Sequence, residues 1–147
     1  MDGIWTSSRR VRRAKALSRA RTGGRAEALS HLGKATEFLE AAAAAVDHGW
    51  YNAAASNAVT AGINAKDSLC FALVGQSAAA DDHKAAVKEL REASVHTREA
   101  AADLDRLVAM KDRAQYDRRD VTASDAKAAL RRAKRLVGLA EETLSSR

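Results

Sequence analysis

The stretch "LVAMKDRAQYDRRDVTASDAKAALRRAKRLV" carries the densest set of side chains able to do chemistry. Between two helical patterns it places Lys111, Asp112, Arg113, Gln115, Tyr116, Asp117, Arg118, Arg119 and Asp120. Arginine forks onto phosphate oxygens, and tyrosine stacks on a base or donates a hydrogen bond. Lys111, Arg113, Tyr116, Arg118 and Arg119 are therefore the candidate residues for holding RNA or a nucleotide. The same residues also suit a solvated connection. Arg113 and Asp117, four apart, can form a surface ion pair of about 0.3–0.5 kcal/mol, with the Tyr116 ring packed over the helix junction.

Other chemistries lack their parts. His31, His48, His83 and His96 never fall three or four residues apart, and neither a His-Glu-x-x-His nor a Glu-x-x-His pattern occurs. A Gly-rich phosphate loop and a Gly-x-Ser-x-Gly turn are both missing. The single cysteine, Cys70, stands in the apolar run "SLCFALVG", which suits a buried thiol and leaves nothing to pair with in a disulfide. Neither a metal nor a cofactor is expected.

The elements that must position the polar stretch are helical. The chain has no proline, aromatic residues are only 4%, and alanine is abundant; alanine, leucine, arginine, lysine and glutamate lose little on entering a helix. The spacing predicts a first helix over 25–47, with a buried stripe of Leu29, Leu32, Leu39, Ala43 and Val46 beside Phe38, ending at His48-Gly49. A second, over 51–74, carries the small-residue face Ala55, Ala58, Gly62, Ala65 and Leu69, with Val59, Ile63 and Leu73 nearby. Such a face admits close neighbours and places this helix at the centre of the bundle. Gly75 ends it, and Asp81 or Asp82 caps the next helix. Residues 82–114 read as one bent helix or two, weakening at Ser94-Val95-His96-Thr97, with Val87, Leu90, Leu104, Leu107 and Val108 inward. Thr122 and Asp125 form a capping-box-like start to a last helix. Its buried stripe runs through Ala126, Ala129, Leu130, Ala133, Leu136 or Val137, Ala140 and Leu144. Arg131, Arg132, Lys134 and Arg135 lie on its solvated side. The fold class is all-α, an antiparallel four- to five-helix up-down bundle.

The formal charge of +6 is concentrated at one end. Residues 1–25 hold eight cations and one anion, which leaves seventeen cations against eighteen anions in the remainder. Residues 1–24 therefore read as a basic, flexible arm suited to phosphates or a partner, dispensable for folding, and 25–147 as the bundle domain. The absence of a membrane-length apolar run and of a signal-peptide core points to a cytoplasmic protein that does not enter a membrane.

Residues 26–145 resemble the HEPN family of small helical-bundle proteins from toxin–antitoxin and defence modules. The resemblance lies in "GWYNAAASNAVTAGINAKDSLCFALVG", then "DDHKAAVKEL", then "LDRLVAMKDRAQYD" and a capped Ala/Leu helix, in that order. It implies a bundle that forms homodimers, with the polar segment before the last helix near the interface. A cognate antitoxin or a nucleotidyltransferase-like protein is the implied heterologous partner. In nuclease members an Arg holds phosphate and a following His assists attack by the ribose 2′-hydroxyl. Arg113 matches the Arg, but Arg118, Arg119 and Asp120 stand where the His could fall. A guanidinium stays protonated at neutral pH and is a poor general base. The resemblance thus implies an RNA-, nucleotide- or partner-binding module with weak or no nuclease activity. Its alternatives are a metal-independent ribonuclease toxin with Arg113, Tyr116 and Asp117 as catalytic residues, and a structural subunit without a ligand. His83 matches a recurring family position and reads as structural.

Overall fold

The computed structural model describes residues 20–79 and 82–146. Among the described residues five helices, α1 (Arg25–Asp47), α2 (Tyr51–Val74), α3 (His83–Ala93), α4 (Arg98–Gln115) and α5 (Ala123–Ser145), form an all-α bundle. Two punctuating glycines explain the first boundaries. Gly49 and Gly75 both adopt positive φ, 74° and 78°, a conformation that costs other residues steric strain. Asp82 caps α3 by accepting the Ala85 N–H at 3.1 Å. The open question over 82–114 resolves as two helices. Extended Ser94 and the 3₁₀ turn Val95–Thr97 separate them, and the Ser94 and Thr97 hydroxyls occupy the backbone groups at the break.

Helix α2 contacts every other helix, as its small-residue face requires. Ala54, Ala55, Ala58, Ala61, Gly62, Ala65 and Leu69 are all buried along it. At Gly62 even a Cβ would lie 2.6 Å from Leu107 Cδ1 and 3.3 Å from Leu136 Cδ1, so α4 and α5 approach as closely as glycine allows. The expected α1 stripe needs correction. Its innermost line is Ala28, Ala35, Ala42 and Ala45, while Leu32, Phe38, Leu39, Ala43 and Val46 are half-buried flanks and Leu29 is 45% exposed. Alanines lie where the backbones meet, and the larger side chains close the sides of that seam. The α5 stripe is buried throughout, from Ala126 to Leu144, with both Leu136 and Val137 inside.

A two-residue antiparallel ladder, β1 (Arg21–Thr22) with β2 (Gln76–Ser77), was not legible in the sequence. Gly23 N–H extends it to the Gly75 carbonyl at 3.0 Å. Residues 21–24, which the charge pattern grouped with the arm, are tied to the body, so the boundary at residue 24 moves ahead of Arg21. The reason is electrostatic. The Arg21 guanidinium donates to Asp67 Oδ1 at 2.8 Å and to the Ala78 carbonyl at 2.7 Å. The expectations for residues 1–19 lie outside the described residues. None of the described helices is long and apolar enough to cross a membrane.

Candidate nucleic-acid interface

The polar loop of residues 116–122 closes one end of the bundle. α4 stops at Gln115, whose amide donates to Ser56 Oγ at 3.2 Å, and the Tyr116 N–H still bonds the Asp112 carbonyl at 2.8 Å. At the far end of the loop, Val121 is buried against Ala45, Ala54, Ala55 and Ala126. Asn52, in the first turn of α2, clamps this point. Its Oδ1 accepts the Val121 N–H at 2.8 Å, and its Nδ2 donates to Asp120 Oδ1 at 3.1 Å. The α1–α2 turn and the α4–α5 loop are therefore joined as one surface.

Arg113 is the centre of the charged arrangement. Its Nη1 lies 2.9 Å from Asp125 Oδ2, with both side chains about one third exposed. This differs from both expectations for the two residues. The helix ends before Asp117 reaches the position four residues on from Arg113, so Asp117 turns instead toward Arg119, accepting its backbone N–H at 2.9 Å. Thr122 does cap α5, accepting the Asp125 N–H at 3.1 Å, but the Asp125 carboxylate faces Arg113. Arg113 Nε is shielded from solvent and has no hydrogen-bond partner among the described residues. The guanidinium is thus half satisfied, in a position where an unmet donor costs about 1–3 kcal/mol.

The remaining candidates divide between two sides. Tyr116 is 77% exposed and does not pack over the helix junction. Arg118 and Arg119 are exposed beside it, Arg119 lying 3.7 Å from Asp117 through Nη2. Lys111 goes elsewhere. Two residues before Arg113, it leaves α4 about 200° around the helix, and its Nζ meets His83 Nε2 at 3.1 Å. An ammonium only donates, so the ring accepts through Nε2 and carries its proton on Nδ1. That Nδ1 is buried without a partner among the described residues. His83 is accordingly engaged with Lys111 and not with the Arg113–Asp125 pair.

Asp117 has its carboxyl pKa held below the ordinary value, chiefly by the Arg119 backbone N–H, with the Arg119 and Arg113 charges adding to this. The stronger acid is the weaker base. No group of three His, Cys, Asp or Glu side chains among the described residues is placed to hold a metal ion.

A second polar cluster, missed in the sequence, lies toward the opposite end of α2. Lys66 and Asp67 are 1% and 3% exposed. Lys66 Nζ donates to Ser77 Oγ at 2.7 Å and lies 3.3 Å from Asp67 Oδ1, and the Ser77 hydroxyl donates to that oxygen at 2.6 Å. Glu89 takes the Ala78 N–H on both oxygens, at 2.8 and 2.7 Å, and comes within 3.8 Å of Lys66 Nζ. With Arg21 the charges balance, and the cluster staples α2, α3 and β1 together. Its Lys66–Asp67–Ser77 centre is buried and structural, with Arg21 and Glu89 about one third exposed at its edge. The signal was "AKDS", two adjacent charges inside an otherwise apolar helix.

Fold and site together define a class, the α-helical bundles with an arginine-centred polar loop ahead of the last helix. The HEPN domain model matches residues 28–143, nearly the whole described body, and the chain belongs to the HEPN-domain family. Comparison with curated proteins produced no significant match.

Proposed function

We propose that this HEPN-domain protein is a binding module of a toxin–antitoxin or defence system, holding RNA or a nucleotide through the Arg113–Arg119 loop with weak or no nuclease activity. The carrying observation is the half-satisfied Arg113. Asp125 fixes one side of the guanidinium through Nη1, and about one third of the side chain stays open to solvent. A phosphate oxygen is the acceptor that such a fork fits best. Tyr116, Arg118 and Arg119 stand exposed beside it, available to a base and to neighbouring phosphates.

The catalytic reading with Arg113, Tyr116 and Asp117 is less well supported. Asp117 is a weakened base, and His83 is engaged with Lys111 and not with the Arg113–Asp125 pair. In the proposed assembly two copies bring their loops together across a two-fold axis, so each dimer offers a joint basic and aromatic groove. Asp112, Asp117 and Asp120 then moderate the repulsion between the arginines.

Incubation of the purified protein with total RNA in the presence of a chelator tests the reading. RNA should be retained uncleaved, and Arg113→Ala should lose retention while keeping its helical circular dichroism. Chelator-resistant cleavage that disappears in Arg113→Ala would establish the ribonuclease instead. Sedimentation equilibrium showing only monomer at working concentration would remove the joint groove.

A further inference from the structure

The turn between α1 and α2 holds an indole out in solvent that the packing does not use. Trp50 is 62% exposed and stacks on His48, with centroids 4.6 Å apart and planes 20° from parallel. Its backbone is pinned on both sides: the Trp50 N–H donates to the Ala45 carbonyl at 2.9 Å, and its carbonyl accepts the Ala54 N–H at 2.9 Å. Trp50 also fills the N-cap of α2, where Ser, Thr, Asp or Asn would accept a free backbone N–H. An indole has no acceptor for that task, and no side-chain cap bond forms. The position thus gives up a stabilising cap and exposes a large apolar ring, whose orientation is set by a second aromatic ring behind it.

Its surroundings indicate what the open face receives. Tyr51 packs into the cluster around Val121, and Asn52 bonds both Val121 and Asp120. Trp50 is therefore on the same end of the bundle as Tyr116, Arg118 and Arg119. Part of the positive charge there is already met, since Asp125 engages Arg113 and Asp117 lies 3.7 Å from Arg119. A ligand held on this surface gains affinity if it adds another contact to phosphate neutralisation. Stacking supplies it, since every unpaired base has a π-face to lay on an aromatic ring, whereas a duplex keeps those faces covered.

We propose that Trp50, backed by His48, is the stacking platform for one unpaired base of a single-stranded RNA whose backbone follows the Arg118–Arg119 loop. This rests on the RNA-binding reading of the loop and adds both the form of the RNA and the residue that takes the base.

Trp5→Phe leaves Trp50 as the only tryptophan of the full-length chain. Titrating that parent with an oligoadenylate of about eight nucleotides should quench the indole emission. Trp50→Ala should weaken binding by about five- to hundred-fold, and Trp50→Phe should recover most of the loss. An abasic oligomer should bind the parent and Trp50→Ala equally. If Trp50→Ala binds the intact oligomer as tightly as the parent, while Arg118→Ala and Arg119→Ala bind it more weakly, the platform is wrong and the loop reading survives. If the parent binds no RNA, both fall. Emission that changes with protein concentration and not with RNA would assign Trp50 to a contact between copies and overturn the platform.

Discussion

Replacing Asp67 with alanine should be among the most damaging single changes in this protein. The carboxylate accepts from Arg21, Lys66 and Ser77 through one oxygen, and the Lys66 ammonium beside it is 1% exposed. Removing one partner of a buried pair leaves the other charge in low dielectric, at about 3–5 kcal/mol. Lys66 keeps the Ser77 oxygen, and Glu89 lies 3.8 Å away, so the lower end of that range applies, about 3 kcal/mol. A domain of this size holds roughly 5–15 kcal/mol in all, and a loss of about 3 kcal/mol should lower the midpoint temperature by roughly 10 °C. Arg21→Ala provides the contrast. It leaves Asp67 paired with Lys66 and Ser77 and strands no charge, so its cost should stay below about 1.5 kcal/mol. Lys66→Met combined with Asp67→Leu removes both charges and should recover most of the stability lost in Asp67→Ala. Urea unfolding followed by far-UV circular dichroism measures all three, with an unchanged slope confirming that the native state is compared with the same unfolded state. An Asp67→Ala protein within about 1 kcal/mol of the parent, or a double variant no better than the single, would falsify this account of the cluster.

Gly138→Ala meets nothing within 4 Å and should stabilise α5 by about 0.5–1 kcal/mol, whereas Gly62→Ala puts its Cβ 2.6 Å from Leu107 Cδ1 and should lose at least that gain to overpacking, and Gly62→Leu should cost about 1–3 kcal/mol. Thermal melts separate these outcomes, and equal melting of Gly62→Leu and the parent would displace α2 from the centre. Cys70 is buried with its pKa pushed up to about 12, chiefly by desolvation, so an aromatic disulfide reagent at pH 8 should label it only on unfolding. The depressed Asp117 carboxyl favours the folded state above its unfolded pKa, and that contribution disappears as pH falls through the lower folded value. Its main cause is a backbone N–H, so Arg119→Ala should shift the Asp117 titration, followed by carboxyl NMR, only slightly. Return to the ordinary aspartate value would show that the guanidinium was the cause.

Helix type and extent were legible because glycines, caps and apolar spacing act locally. Gly49, Gly75, Asp82 and Thr122 mark their boundaries through bonds and dihedrals spanning only a few residues. The candidate loop was legible as a concentration of functional groups, since a charged interruption between two amphipathic helices has to lie outside the core. Which of its charges pair was not. Asp117 looked like the partner of Arg113 by spacing, but α4 ends at Gln115 and delivers Arg113 to Asp125 on the next helix. Trp50 was visible as part of a family-like stretch, yet its 62% exposure depends on the turn that stacks it on His48.

By itself, then, the sequence determined the all-α class, the central small-residue helix and the polar loop ahead of α5, because periodicity, capping and glycine geometry are short-range and nearly context-free. Only the tertiary structure decided that alanines and not leucines line the α1 seam, that Lys111 turns away to His83, that Arg21 belongs to the body through Asp67, and that Trp50 shares a surface with Tyr116. Each of these depends on which residues from distant parts of the chain arrive at the same place, and on which charges are desolvated there, quantities set by the packing of whole helices against one another.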